Sequence, residues 1–235
     1  MATSGTTIWS LQRDEVINSA LRKLSVLSGG SSPAAYEVTN ASQALNAMIK
    51  GFQADGMQVW AIKKYTFTVT SGTAAYTIGV SQTLNTPQPL KVLQAYRNQT
   101  NSVNVPLNIY TNYNYNILPL TTSSGVPVNL YYQPLAKTGT INLWPTPDDS
   151  TTTITIVYQR PFEDMVASTD DFDFPAYWTE ALIYGLAWRL SGEYGIPIQD
   201  RTVLTKEAEY FHQQALMYDQ EEGSVYMQPD WSGKY

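Results

Sequence analysis

The spacing of apolar residues along this chain changes period twice. Over residues 10–27, Val16, Ile17, Ala20, Leu21, Leu24 and Leu27 recur at helical intervals and fall on one face, and the turn-forming SGGSSP (28–33) ends the run. A second helical stripe, Ala41, Ala44, Leu45, Met48, Ile49 and Phe52, follows Asn40, which with Gln43 makes a capping-box-like start. Gly56 stands where a left-handed C-terminal cap is wanted. From residue 64 to 160 the period is two. YTFTVT (65–70) alternates strictly, and AAYTI, LKVLQAY, VNLYY, TINLWP and TTTITIVYQ follow between Gly, Pro and Asn turns. Their Thr, Val, Ile and Tyr content suits a pleated, half-buried surface. Residues 98–136 contain no charged side chain and read as one ordered inserted loop.

Helical spacing returns near Asp173, a candidate N-cap, with Pro175 as an early helical residue. Trp178, Ala181, Leu182, Gly185 and Leu186 line one face, and Tyr177, Tyr184 and Trp188 fill the next. A helix apolar on nearly every side is buried on several. Trp178, Ala181, Gly185 and Trp188 are therefore the candidate bundle and subunit-interface positions. Ala181 and Gly185 lie four apart, so another backbone can approach closely there. Gly192, Gly195 and Pro197 stop the helix. A last helix over about 199–220 sets Leu204, Ala208, Phe211, Ala215 and Tyr218 at spacings of three and four, a seam for its neighbour. The residues after Gly223 have no core-forming period and read as an extended arm. The expected fold is α+β: helices from 10–56 and 174–220 form a bundle beside a central antiparallel β region, a small sandwich or barrel. It makes one domain over 1–222 with an arm over 223–235.

Composition narrows the function. Charged residues are 14 % of the 235, against about 25 % in average proteins. With 17 Tyr and 6 Trp, such a surface suits contact with other subunits. Cysteine is absent, which removes disulfides, zinc–thiolate sites and a Cys nucleophile together. No charged segment followed by an apolar run marks a signal peptide, and no apolar run reaches the ~18 residues of a membrane span. Charge is uneven. The first 117 residues carry eight Lys and Arg against four acids, and the remainder six against sixteen. An acidic second half repels DNA phosphates, and no basic stripe with interleaved aromatics reads base sequence.

The constellations that could carry chemistry have simpler readings. His212, the only histidine, has no accompanying nucleophile motif and reads as a helix-surface residue. Asp170, Asp171 and Asp173 lack calcium-loop spacing and sit where acids favour a helix start. Glu163, Asp164 and Glu180 offer no fixed carboxylate separation for glycoside hydrolysis. Phosphate-cradling glycine motifs are missing. The residues thus indicate a non-enzymatic protein without a cofactor or metal. The aromatic excess also admits a carbohydrate- or receptor-binding β module.

Two stretches together carry a resemblance. ALNAMIKGFQADGMQVWAIKKYTFTVTSGTAAYTIG (44–79) runs from a helix through Asp-Gly and Val-Trp into a strand pair. RPFEDMVASTDDFDFPAYWTEALIYGLAWRLSGEYGIP (160–197) places Arg-Pro after a strand, then Phe-Pro-x-x-Trp-type residues at a helix start and Glu-Tyr-Gly at its end. This order resembles the head-to-tail adaptor proteins of short-tailed bacteriophages, the tail accessory or packaged-DNA-stabilisation family. The resemblance implies a structural protein of the virion neck, assembled in the host cytoplasm. Its partners would be the portal protein and the next tail component, whether nozzle, tail tube or fibre protein. It implies a dodecameric ring beneath the portal that extends the DNA channel, through which packaged DNA passes without sequence-specific binding. Family members use the C-terminal segment to dock on the portal, which makes Tyr226, Met227, Trp231 and Tyr235 the candidate docking arm.

Overall fold

Helix α1, Arg13–Lys23, buries the expected Val16, Ile17, Ala20 and Leu21. The Glu15 carboxylate accepts the Gln12 N–H at its start, 2.9 Å away, and Ser25 ends the run at a left-handed φ of 56°. Helix α2, Ala35–Phe52, begins earlier than its apolar stripe suggests. Glu37 reaches back to accept the Ala34 N–H at 2.8 Å, so Asn40 lies inside the helix and caps nothing. The computed structural model describes residues 5, 9–54, 59–98 and 103–219, and Gly56 lies outside them.

Nine strands follow: β1 Ile62–Thr68, β2 Ala75–Gly79, β3 Leu84–Asn85, β4 Lys91–Asn98, β5 Asn104–Pro106, β6 Asn108–Tyr110, β7 Asn129–Pro134, β8 Gly139–Trp144 and β9 Thr153–Gln159. They form two sheets, ordered β1-β9-β4-β5 and β3-β2-β8-β7-β6. The sheets face each other as an open sandwich. Phe67, Ile154, Ile156 and Tyr158 from one meet Tyr76, Ile78, Leu130, Ile141 and Leu143 from the other. The long pairings are antiparallel, while the short β2–β3 and β6–β7 pairings are parallel.

Residues 98–136 are not one loop. They supply β5, β6, the short helix α3 (Asn112–Asn116) and the whole of β7, the strand that the sequence marks at VNLYY. Amides and hydroxyls do the work that charge does elsewhere. Asn108 donates to the Asn129 side chain at 3.2 Å, Thr111 accepts the Asn114 N–H to cap α3, and the Trp144 indole donates to the Leu120 carbonyl at 2.9 Å.

The chain then returns to helix, with a 3₁₀ turn at Ala176–Trp178, α4 at Thr179–Leu190 and α5 at Ile198–Tyr218. Helix α4 lies at the centre of the bundle, packed by α1, α2 and α5. Gly185 is what lets α2 approach it: a Cβ there would lie 2.8 Å from the Met48 sulfur. The α5 seam is narrower than its spacing suggests. Leu204 and Ala215 are buried, Phe211 is half-buried, and Tyr218 is exposed. The molecule therefore has two cores, one among the helices and one inside the sandwich.

Gly139 marks a close approach within the sandwich. A Cβ there would lie 2.5 Å from the Tyr132 ring, whose hydroxyl is fixed by donating to the Pro89 carbonyl. Gly139→Ala is expected to cost about 1–3 kcal/mol, the usual penalty of overpacking. Urea unfolding of the full chain measures it, and Tyr132→Phe, which frees the ring, should recover part of the loss when combined with it.

Candidate interaction surfaces

One polar and aromatic junction joins the two cores. Trp60 sits in the 3₁₀ turn Val59–Ala61 just before β1, Arg160 follows β9, Tyr177 and Trp178 open α4, and Asp219 follows the last residue of α5. The Asp219 carboxylate is buried, at 6 % exposure. It accepts the Trp60 indole N–H at 3.0 Å, the Trp178 indole N–H at 2.9 Å and the Tyr177 hydroxyl. A buried carboxylate requires such donors, and hydrogen bonds to a charged acceptor are strong ones. Tyr177 is 41 % exposed, but partial burial, and then the bond to Asp219, hold that phenol protonated far above the ordinary tyrosine range.

Beside it, Arg160 forks onto Asp173, with Nη2 2.7 Å from Oδ1 and Nη1 on the other oxygen. This bond raises the guanidinium's affinity for its proton. The guanidinium lies 5.7 Å over the Trp60 ring, and Trp60 in turn faces Phe162 at 4.9 Å and Phe174 at 5.1 Å. Asp173 is consequently no N-cap, because Arg160 draws its carboxylate away from the helix start. The neighbouring acids are held apart too. Asp170 accepts the Val166 and Ala167 N–H groups, and Asp171 pairs by its backbone with Gln12. Among the described residues no group of three or more His, Asp or Glu is placed to hold a metal.

The four helix positions singled out from the sequence divide. Trp178, Ala181 and Gly185 are core, and Trp178 is wholly enclosed beside Phe52, Phe174 and His212. Trp188 is 43 % exposed. It stands at the rim of a concavity of about 270 Å³ between α2, α4 and α5, lined among others by Met48, Phe52, Gly185, Ala208 and His212. His212 is not a surface residue: half-buried, it stacks on Phe52 with ring centroids 4.4 Å apart. On the far side of α5, Val203, Tyr210 and Met217 are 56 %, 63 % and 72 % exposed at intervals of seven. The docking-arm residues Tyr226, Met227, Trp231 and Tyr235 lie outside the described residues.

A family profile described as SU10 adaptor protein matches residues 12–229. The chain belongs to the SU10 adaptor protein family. This is a phage head–tail adaptor family, and membership implies a structural role at the virion neck, in contact with portal and tail components. No curated protein matches the chain. No helix among the described residues is long and apolar enough to cross a membrane.

The sequence motifs that resemble adaptors now have a physical reason. Val-Trp, Arg-Pro and Phe-Pro-x-x-Trp supply Trp60, Arg160, Phe174, Tyr177 and Trp178, all members of the junction. Sequence reading missed Asp219, although a signal was present: an acid at a helix C-terminus faces the negative end of the dipole and needs a partner. It also missed the outer face of α5 in the adaptor, legible as the seven-residue recurrence of Val203, Tyr210 and Met217. A second exposed apolar surface lies on the uncharged sandwich edge, at Ile109, Tyr113, Ile117 and Leu120.

Asp219→Ala is expected to lower unfolding stability by about 2–5 kcal/mol, because two indole N–H groups and a phenol lose their acceptor in a buried site. Asp219→Asn should cost less, since it keeps one acceptor oxygen; chemical denaturation of both variants provides the comparison. A pH series tests the phenols. Burial holds Tyr132, Tyr158, Tyr177 and Tyr194 above the usual tyrosine value, so each binds its proton more tightly folded than unfolded. That stabilisation is full below pH about 10 and drains as pH climbs above it. The unfolding midpoint should fall on that alkaline side, and Tyr177→Phe should make the fall shallower.

Proposed function

We propose that this adaptor assembles as a dodecameric ring beneath the portal, extends the DNA channel, and presents the platform to which the next tail component attaches. The observation that carries the reading is the presence of separate exposed apolar faces on a charge-poor member of the adaptor family. One is the outer face of α5, a second is the Trp188 rim on another side of the helical layer, and a third is the edge formed by β6 and α3. A ring is built from heterologous contacts, so each copy needs two different adhesive faces, and attachment of a further protein needs more surface still. Exposed contiguous apolar area on a soluble chain marks such contacts.

In this arrangement the helical layer makes the ring and the uncharged sandwich edge receives the tail component. The arm from residue 223 onward docks on the portal, with Tyr226, Met227, Trp231 and Tyr235 as its anchors. The acidic second half of the chain lines the channel, where like charge lets DNA slide past without being held.

The test is the mass of the portal ring in solution before and after addition of the purified adaptor. The expected gain is one 26.2 kDa chain per portal subunit. Removal of residues 223–235 should abolish the gain while leaving the adaptor folded. A portal ring whose mass does not change with the full chain present overturns the reading.

A further inference from the structure

The groove beside Trp188 and the apolar stripe on α5 are two separate exposed features of the helical layer. Val203, Tyr210 and Met217 recur every seven residues, project from one side of α5, and span about 21 Å at the helical rise. That side is opposite the Leu204 and Ala215 side, which packs on α4. Nothing among the described residues covers the stripe. The groove lies about 150° away around α5, between α2, α4 and α5, with an apolar floor of Met48 and Phe52 and Trp188 at its rim. One feature is convex and the other concave, and they face different directions on the same chain.

Charge and height match as well. Lys206 and Glu207 flank the stripe on opposite sides, while Glu209 and Arg189 stand at the groove. None of these four makes an ion pair among the described residues. Two opposite-charge pairs therefore become available, Lys206 with Glu209 and Glu207 with Arg189. Along α5, Tyr210 falls between Thr205 and His212, both of which line the groove. Copies related by rotation about an axis parallel to α5 keep the same height, so Tyr210 of one meets the groove of the next at its own level.

We infer that the Val203, Tyr210 and Met217 stripe of one adaptor copy seats in the Trp188 groove of the next, and that α5 is the helix on which the ring closes. This rests on the ring reading above and deepens it by naming the contact. The occupant is a second copy because knob, hole and both charge partners are all carried by this one chain. A head-to-tail contact requires that, and a contact with a foreign protein does not.

The absence of cysteine gives a clean test. The full-length double variant Tyr210→Cys with Ala208→Cys, assembled on the portal ring and mildly oxidised, should yield a covalent ladder from dimer to full ring. Either single variant should yield none. Separately, Glu207→Arg and Arg189→Glu should each reduce ring yield at least tenfold, and the two together should restore it. Rings that form on the portal without a ladder, and without charge-swap rescue, overturn the inference and leave the ring reading standing. A single variant that cross-links to itself also overturns it, because the contact is then self-facing. If the wild-type chain adds no mass to the portal, the ring reading fails, and this contact fails with it.

Discussion

The buried Asp219 carboxylate is the interaction on which the arrangement of the two cores depends. Taken alone it is unfavourable: an acid placed at the negative end of a 21-residue helix and removed from water. It is tolerated because two tryptophan N–H groups and a tyrosine hydroxyl converge on it, two of them from the start of α4 and one from the turn that enters the sandwich. Through those donors the end of α5, the start of α4 and the entry to β1 share one point. The forked Arg160–Asp173 pair, lying over the Trp60 ring, ties the exit of β9 to the same place. Sandwich and bundle each have an apolar interior of their own, so hydrophobic burial alone would leave their relative orientation loosely set. Directional hydrogen bonds and aromatic faces set it.

That fixed orientation is what an adaptor requires. A protein that joins two larger assemblies transmits position, and its two working surfaces must hold a constant geometry. In the proposed assembly one surface belongs to the helices and the other to the sandwich edge, and the junction between them is built from hydrogen bonds to the Asp219 and Asp173 carboxylates. The low charge of the remaining surface has the same logic. In the β5, β6 and α3 region Thr111 caps the helix and asparagine side chains pair with one another, without the desolvation cost that charged groups would bring to a protein–protein contact.

Much of the fold was legible in the sequence, and the failures have physical causes. The stripes of α1 and α4 and the alternation of β1 and β8 reported their own burial, because periodicity encodes which face is covered, whereas β9 is buried on both faces despite its alternating sequence. The start of α2 was misplaced since Glu37 caps it from within, ahead of the apolar stripe. Within residues 98–136 the strand at VNLYY was legible, but β5, β6 and α3 looked like loop because short elements held by neutral side chains show neither alternation of charge nor long apolar runs. The family motifs were visible, yet their purpose was not. Trp60, Arg160 and Trp178 stand about 100 and 18 residues apart along the chain, and only the tertiary fold brings them to one junction, the two indoles on Asp219 and the guanidinium on Asp173. The outer face of α5 was overlooked because attention to a seam hides what lies opposite it.

The junction also imposes an order on synthesis. Trp60 and Asp219 are separated by 159 positions, and the acid is the last of the bonded partners to leave the ribosome. Both helices of the N-terminal pair and all nine strands have been synthesised before then, whereas the bond that aligns them spans most of the chain and closes last. A nascent adaptor is therefore two half-assembled bodies with a pair of indoles waiting for an acceptor, and it becomes a rigid spacer only after translation has passed the end of α5.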